Sequence, residues 1–155
     1  DYTRRSGYDV VGRDGLTLSE KWHDGVATFH GLHSRGFPNL FIFSLHQSGF
    51  TVNFPHALDE QSKHTAYILR HVFDHEIDTV EASQEAEDAW VSLLLTGMGR
   101  MTGGADCTPG YYNNEGQDAG LAARLAVGYP AGASAYFKYI DEWRRSGRFE
   151  GLTFR

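Results

Sequence analysis

One feature constrains this chain more than any other: a short, wholly apolar run that meets a glycine turn and then a long amphipathic segment. The turn signal Gly36-Phe37-Pro38-Asn39 precedes Leu40-Phe41-Ile42-Phe43, and Gln47-Ser48-Gly49 follows. A run without alternation reads as a strand buried on both faces, here Leu40–Ser44, as in the parallel sheets of α/β proteins. Beyond it a helix is expected from about Thr51 to His75. Leu58, Thr65, Ile68 and Val72 recur near the helical period, with Ala57, Tyr67 and Phe73 beside them. Pro55 is tolerated only in a first turn, which puts the helix start near Asn53 or slightly before. Such a helix end carries unpaired N–H groups and roughly half a positive charge, so it stabilises an anion or an electron-rich oxygen. Gly49 would let a planar ligand approach the backbone, and open α/β sheets bind ligands beyond the carboxyl ends of their strands. The same pattern also suits a buried strand and a packing helix with nothing bound. Local pattern leaves both readings open.

The remaining elements read as follows. Residues 1–35 resemble irregular β structure, with "LTLSEKW" (Leu16–Trp22) and "VATFHGL" (Val26–Leu32) separated by the turn-like His23-Asp24-Gly25. "IDTVEA" (Ile77–Ala82) suits a short strand. A second helix, capped by Ser83, carries the apolar stripe Ala86, Trp90, Leu93, Leu94 and Met101. Residues 102–118, "TGGADCTPGYYNNEGQD", form a long loop of the kind that is usually functional. A third helix spans about Ser134 to Ser146, burying Tyr136, Ile140 and Trp143 and ending at Gly147. "EGLTFR" (Glu150–Arg155) reads as a closing strand. No internal repeat is present.

The chain has 155 residues, enough for one core. Its net charge of -6 and the absence of a basic stripe argue against a nucleic-acid partner. No apolar run approaches the ~20 residues of a membrane span. A single cysteine, Cys107, rules out an internal disulfide and suits a reducing cytoplasm. The chain opens on Asp1 without a signal segment, and the expectation is a piece of a longer protein, or else a trimmed complete domain.

Several patterns mimic sites. "GMGRMTG" (Gly97–Gly103) resembles a dinucleotide fingerprint, but Thr102 replaces a glycine and the string ends a helix instead of opening one. His71 and His75 could face one metal, with Asp74 and Asp78 near, yet no third ligand has convincing spacing, so no metal is expected. Cys107 lacks any sequence sign of a low-pKa setting. Ser48 lacks the G-x-S-x-G elbow of a hydrolase.

The string from Gly12 to Ile68 resembles the C-terminal region of class B flavoprotein monooxygenases, and within them the Baeyer–Villiger monooxygenases. The combination GFPNLF…QSG…N…EQ…H carries the resemblance, with Ala89-Trp90, "CTPGYYNNEG" (Cys107–Gly116) and "YPAGASAYFKYIDEW" (Tyr129–Trp143) extending it over nearly the whole chain. The resemblance implies an α/β protein (α+β for this piece). It would be the C-terminal part of a Rossmann-like FAD domain: the last parallel strand, long helices and a small β element. Residues 1–35 would be an irregular β segment and 36–76 the last strand and flavin-facing helix. Residues 77–155 would be a helical segment with its loop and closing strand. The implied cofactors are FAD and NADPH. The implied reaction inserts one oxygen of O2 beside a ketone carbonyl, giving an ester or lactone.

Carried onto this chain, Gln47, Ser48, Gly49, Thr51, Val52 and Asn53 would line FAD. Phe50, Thr51, Val52 and Phe54 would line the substrate pocket. Gly110, Tyr111, Tyr112 and Asn113 would belong to a mobile NADP loop, although Gly110 stands about where many relatives carry a Trp. No catalytic residue falls in this stretch, because the family's catalytic arginine lies in its NADP domain. No G-x-G-x-x-G is present, and in "FHGLHSR" (Phe29–Arg35) Arg35 stands where the family's linker motif has His. The N-terminal FAD and NADP domains would therefore be partners supplied from outside these residues, and the chain alone should be inactive. An N- or S-oxygenating flavin monooxygenase and a non-catalytic interaction module are the alternatives.

Overall fold

The computed structural model describes residues 6–97, 125 and 128–155. A 3-10 turn at Arg13–Gly15 precedes α1 (Leu18–Lys21), α2 (Phe54–Asp74), β1 (Val80–Ala82), α3 (Gln84–Gly97), α4 (Ala133–Ser146) and β2 (Leu152–Phe154). The helices begin and end where local chemistry dictates. Asn53 caps α2 by accepting from the His56 N–H at 3.2 Å, with Pro55 in the first turn. The helix therefore starts after Thr51 to Asn53 and not within them. The Ser83 hydroxyl accepts from the Ala86 N–H at 3.2 Å at the head of α3. Gly147 closes α4 in the left-handed conformation, φ 67°.

Two strand expectations fail. "LTLSEKW" contains a turn of helix, α1, because Thr17 and Glu20 form a capping box. The expected irregular β structure of residues 1–35 reduces, among the described residues, to isolated bridges Val11–Thr17 and Phe29–His33. Leu40–Ser44 is not a strand either. Ile42 donates to the Leu32 carbonyl at 2.8 Å, but no ladder forms, and Phe43 is 41% exposed. A strand exists only through its neighbours, and no described residue supplies one. The sheet that is described is two-stranded and antiparallel, pairing Val80 with Phe154, Glu81 with Thr153 and Ala82 with Leu152. Both of its strands fall inside segments expected to be extended.

Two apolar clusters meet at this sheet. Phe29, Ala82, Trp90, Leu94, Tyr136 and Ile140 form one, between α3 and α4. Leu32, Ile68, Val72, Val80 and Trp143 form the other, against α2. The inward stripe of α4 is the expected one, Tyr136, Ile140 and Trp143. On α2, Ala57, Thr65, Ile68 and Val72 are buried as expected, joined by Gln61 and His64, while Phe73 is exposed. On α3, Trp90 and Leu94 are buried but Leu93 is 43% exposed; Met101 lies outside the described residues.

Charge pins the first segment to this core. Glu81 accepts from Arg13 at 2.9 Å and Arg35 at 2.8 Å. Glu87 accepts from Lys21 Nζ at 2.7 Å and from the Arg35 N–H at 2.6 Å. Both carboxylates are 2% exposed, and buried carboxylates persist only when paired and hydrogen-bonded. No described helix is long and apolar enough to cross a membrane.

Candidate functional site

The stretch between the apolar run and α2 is a tight turn anchored from several directions. Gln47 holds a left-handed φ of 56°, a strained conformation for a residue with a side chain, kept only where surrounding bonds over-determine it. Here they do. Its carbonyl oxygen Oε1 accepts from Thr28 N–H at 2.9 Å and Thr28 Oγ1 at 2.6 Å. Its Nε2 donates to the Val26 carbonyl at 2.6 Å and the Leu125 carbonyl at 2.9 Å. The Trp90 indole donates to its backbone carbonyl at 3.1 Å. All side-chain capacity of Gln47 is thus spent on protein groups.

Ser48 is equally internal. Its hydroxyl donates to the Ser44 carbonyl at 2.8 Å, and its own carbonyl accepts from Phe50 N–H at 3.0 Å and Tyr129 N–H at 2.8 Å. Gly49 is required by the protein itself. A Cβ there would lie 2.8 Å from atoms of the Tyr136 and Phe137 rings on α4. On the side where a Cβ would project, the room at Gly49 is filled by α4. Replacing Gly49 by Ala should cost about 1–3 kcal/mol through overpacking, read as a lowered urea midpoint with unchanged slope.

Past Gly49 the chain turns outward. Phe50 is 59% exposed, Val52 is fully exposed and Phe54 is 44% exposed. Thr51 is half-buried and its hydroxyl accepts from Asn53 N–H at 3.2 Å. The Asn53 side chain is the α2 cap. The structure therefore divides the expected flavin and substrate residues. Gln47, Ser48 and Gly49 form an internal anchor, and Phe50, Thr51, Val52, Asn53 and Phe54 form an outward wall around the α2 N-terminus. That first turn contains no acidic side chain to offset the 21-residue helix dipole. The expected NADP-loop residues Gly110, Tyr111, Tyr112 and Asn113, with Cys107, lie outside the described residues.

Behind the anchor sits a group the sequence reading missed. His30, His33 and His64 are almost completely buried, and His30 Nδ1 lies 3.4 Å from His64 Nε2. Aromatic rings enclose them: His30 stacks on Phe29 at 3.6 Å and meets Trp90 and Trp143 edge-on, and His64 packs on Trp143 at 4.9 Å. Burial holds His30 well below its ordinary pKa and pushes His33 down to about 4 and His64 to about 3. All three are neutral at pH 7. The signal available in the sequence was the terminal His of the EQ…H pattern, which does not disclose burial. The rings of His71 and His75 lie 4.2 Å apart, tilted by 42°, near the end of α2, and no third ligand joins them among the described residues. The described group His56, Asp59 and Glu60 has ligand atoms mutually within 4.8 Å, but Lys63 neutralises both carboxylates at 2.7 and 2.8 Å.

No protein-family model matches the chain. Individual relatives do, and they are flavin-dependent monooxygenases. Neopentalenolactone D synthase of Streptomyces avermitilis is 44% identical over 155 residues, which is 99% of this chain and 26% of that protein. Baeyer–Villiger monooxygenase 4 of a Dietzia species is 38% identical over 149 residues, 96% of this chain and 24% of that protein. Among solved structures, the polycyclic ketone monooxygenase of Thermothelomyces thermophila superposes with a TM-score of 0.86 at 34% identity, covering 99% of this chain and 25% of that one. The mixed arrangement of helices and small sheet is thus that of a region of a Baeyer–Villiger monooxygenase. The chain spans about a quarter of the length of the curated relatives it matches.

Proposed function

We propose that this chain supplies one wall of the flavin and substrate site of an FAD- and NADPH-dependent Baeyer–Villiger monooxygenase. That enzyme would insert one oxygen of O2 into a ketone to give an ester or lactone. The observation that carries the reading is the outward wall of Phe50, Val52 and Phe54 around an α2 N-terminus free of acidic side chains. Single exposed apolar side chains are ordinary, but three large ones within five residues suit a contact surface. A planar ring that becomes anionic on reduction suits both halves of such a wall. The apolar side chains take its face, and the helix end stabilises its charge. The similarity, over nearly all of this chain, to a quarter of a Baeyer–Villiger monooxygenase and of a polycyclic ketone monooxygenase supports the same reading.

In this reading FAD supplies the redox and oxygen chemistry. Of the backbone N–H groups from Phe50 to Phe54, those of Phe50 and Asn53 are spent within the turn, so the remaining ones would face its pyrimidine side, and Phe50, Thr51, Val52 and Phe54 would also shape the substrate pocket. Gln47, Ser48 and Gly49 set the position of that turn from within, while Asn53 fixes where the helix begins. Residues 36–76 would close a Rossmann-like FAD domain, with Leu40–Ser44 as its last parallel strand once neighbouring strands are supplied. Residues 77–155 would brace this unit, with NADP contacts from Gly110, Tyr111, Tyr112 and Asn113. The FAD and NADP domains that hold the cofactor phosphates would be partners of this region.

The test uses the longer protein containing these residues, loaded with FAD and given NADPH with a ketone, an amine or a sulfide. A ketone-derived ester or lactone is expected, and residues 1–155 alone should consume no NADPH. Oxygenation of amine or sulfide only would favour the N- or S-oxygenating class. Ketone oxygenation by residues 1–155 alone, or a longer protein that binds no flavin, would refute the proposal.

A further inference from the structure

We propose that Gln61 is a positioning residue that sets the distance between the Gln47–Gly49 anchor and the Phe50–Phe54 wall. The inference rests on the proposed flavin-site function and adds a residue to it. Gln61 lies two turns inside α2, is 4% exposed, and reaches back across the chain that leads into its own helix. Its Nε2 donates to the Ser44 carbonyl at 2.5 Å and to Ser48 Oγ at 3.2 Å. Ser48 Oγ in turn donates to that same Ser44 carbonyl, and the Ser48 carbonyl accepts from Phe50 and Tyr129. One amide therefore ties the helix body to both ends of the turn from which the wall projects.

Two features distinguish this from ordinary packing. First, the amide orientation is forced, because a flipped Gln61 would set oxygen against the Ser44 carbonyl oxygen. Second, Gln61 Oε1 is buried without a hydrogen-bond partner among the described residues. A buried orphan acceptor is unfavourable, so an aliphatic side chain would be the better choice for packing alone. What the aliphatic chain could not supply is the pair of donated bonds. Losing them would leave α2 intact, since its cap at Asn53 and its apolar residues Ala57, Ile68 and Val72 are elsewhere. It would free residues 44–50 to shift against the helix.

The test replaces Gln61 by Glu, which keeps the shape and removes at least one of the two donated bonds, and uses Ser48→Ala as a gentler cut of the same network. Val72→Ala on the same helix is the control for general destabilisation. In the FAD-loaded longer protein, Gln61→Glu and Ser48→Ala should retain bound FAD, while ester formed per NADPH consumed falls about tenfold or more, the scale of a misplaced reacting group. Val72→Ala should leave that ratio unchanged. Equal ratios in all three variants would overturn the proposal. Should the wild-type protein oxidise no ketone, the flavin-site reading fails instead. The positioning claim is then decided by amide exchange, with the Phe50 and Tyr129 N–H groups expected to exchange faster in Gln61→Glu than in Val72→Ala. Matching exchange in those two variants sinks it.

Discussion

Acidification should unfold this protein at a pH where most carboxylates are still ionised. His30, His33 and His64 are buried and neutral, with pKa values held below the ordinary histidine value by burial, His33 to about 4 and His64 to about 3. The groups facing them do not reverse this. The three imidazoles repel one another's charge, Arg144 beside His64 disfavours a second cation, and the nearby Tyr136 and Tyr139 phenols are neutral. A base whose folded pKa is depressed stabilises fully above its unfolded pKa, and that stability is lost as pH falls towards the folded value. The window therefore opens near 6.5 and runs to about 3–4. Each buried imidazole should remove about 1.4 kcal/mol per pH unit within it. His33 and His64 together amount to roughly 4 kcal/mol by pH 5, with His30 acting in the same direction, a large part of the stability of an ordinary domain. Urea midpoints measured from pH 7.5 to pH 5 should fall steeply, and His64→Gln should flatten the slope. A midpoint constant down to pH 5 would contradict the burial of the three rings as described.

The second large effect is expected at Glu87. Removing its carboxylate in Glu87→Ala leaves Lys21, only 14% exposed, without its ion pair, and the Arg35 N–H without its acceptor. Breaking one side of a buried pair costs about 3–5 kcal/mol. Glu87→Gln should cost less, because its one carboxamide oxygen still accepts from either Lys21 or the Arg35 N–H, although its NH2 then faces the other donor. Burial already lifts the Glu87 carboxyl above its ordinary pKa despite the Lys21 hydrogen bond. Thermal unfolding of the two variants would show what the remaining acceptor is worth, and equal loss in both would show that one carbonyl oxygen cannot stand in for the carboxylate.

Both effects come from residues that sequence patterns rank poorly. What the sequence disclosed well was local. Pro55 with Asn53 announced the head of α2, Ser83 that of α3, and Gly147 the end of α4, because caps are decided by neighbours a few residues away. The apolar stripe of α4 was legible for the same reason. Leu40–Ser44 misled because strand status is conferred by pairing partners, and none are described here. Thr17 and Glu20 carry the T-x-x-E spacing of a capping box, a local sign of the helical turn that "LTLSEKW" contains. The anchoring of Gln47 could not be read at all: its bonds reach Val26, Thr28 and Leu125, up to 78 residues away. The glycine at 49 was noticed for a right reason, close approach, but the approaching group is the Tyr136–Phe137 pair.

The division between anchor and wall has a practical consequence for anyone wishing to alter what such a site accepts. For the proposed site, a mutational library spread evenly over the eight positions 47–54 would waste more than half its members. Changes at Gln47, Ser48 and Gly49 disturb bonds to four distant segments and yield misfolded clones before they yield new selectivity. Phe50, Val52 and Phe54 are more than two-fifths exposed, so their side chains can be exchanged with little penalty to the fold. Diversity belongs at those three positions.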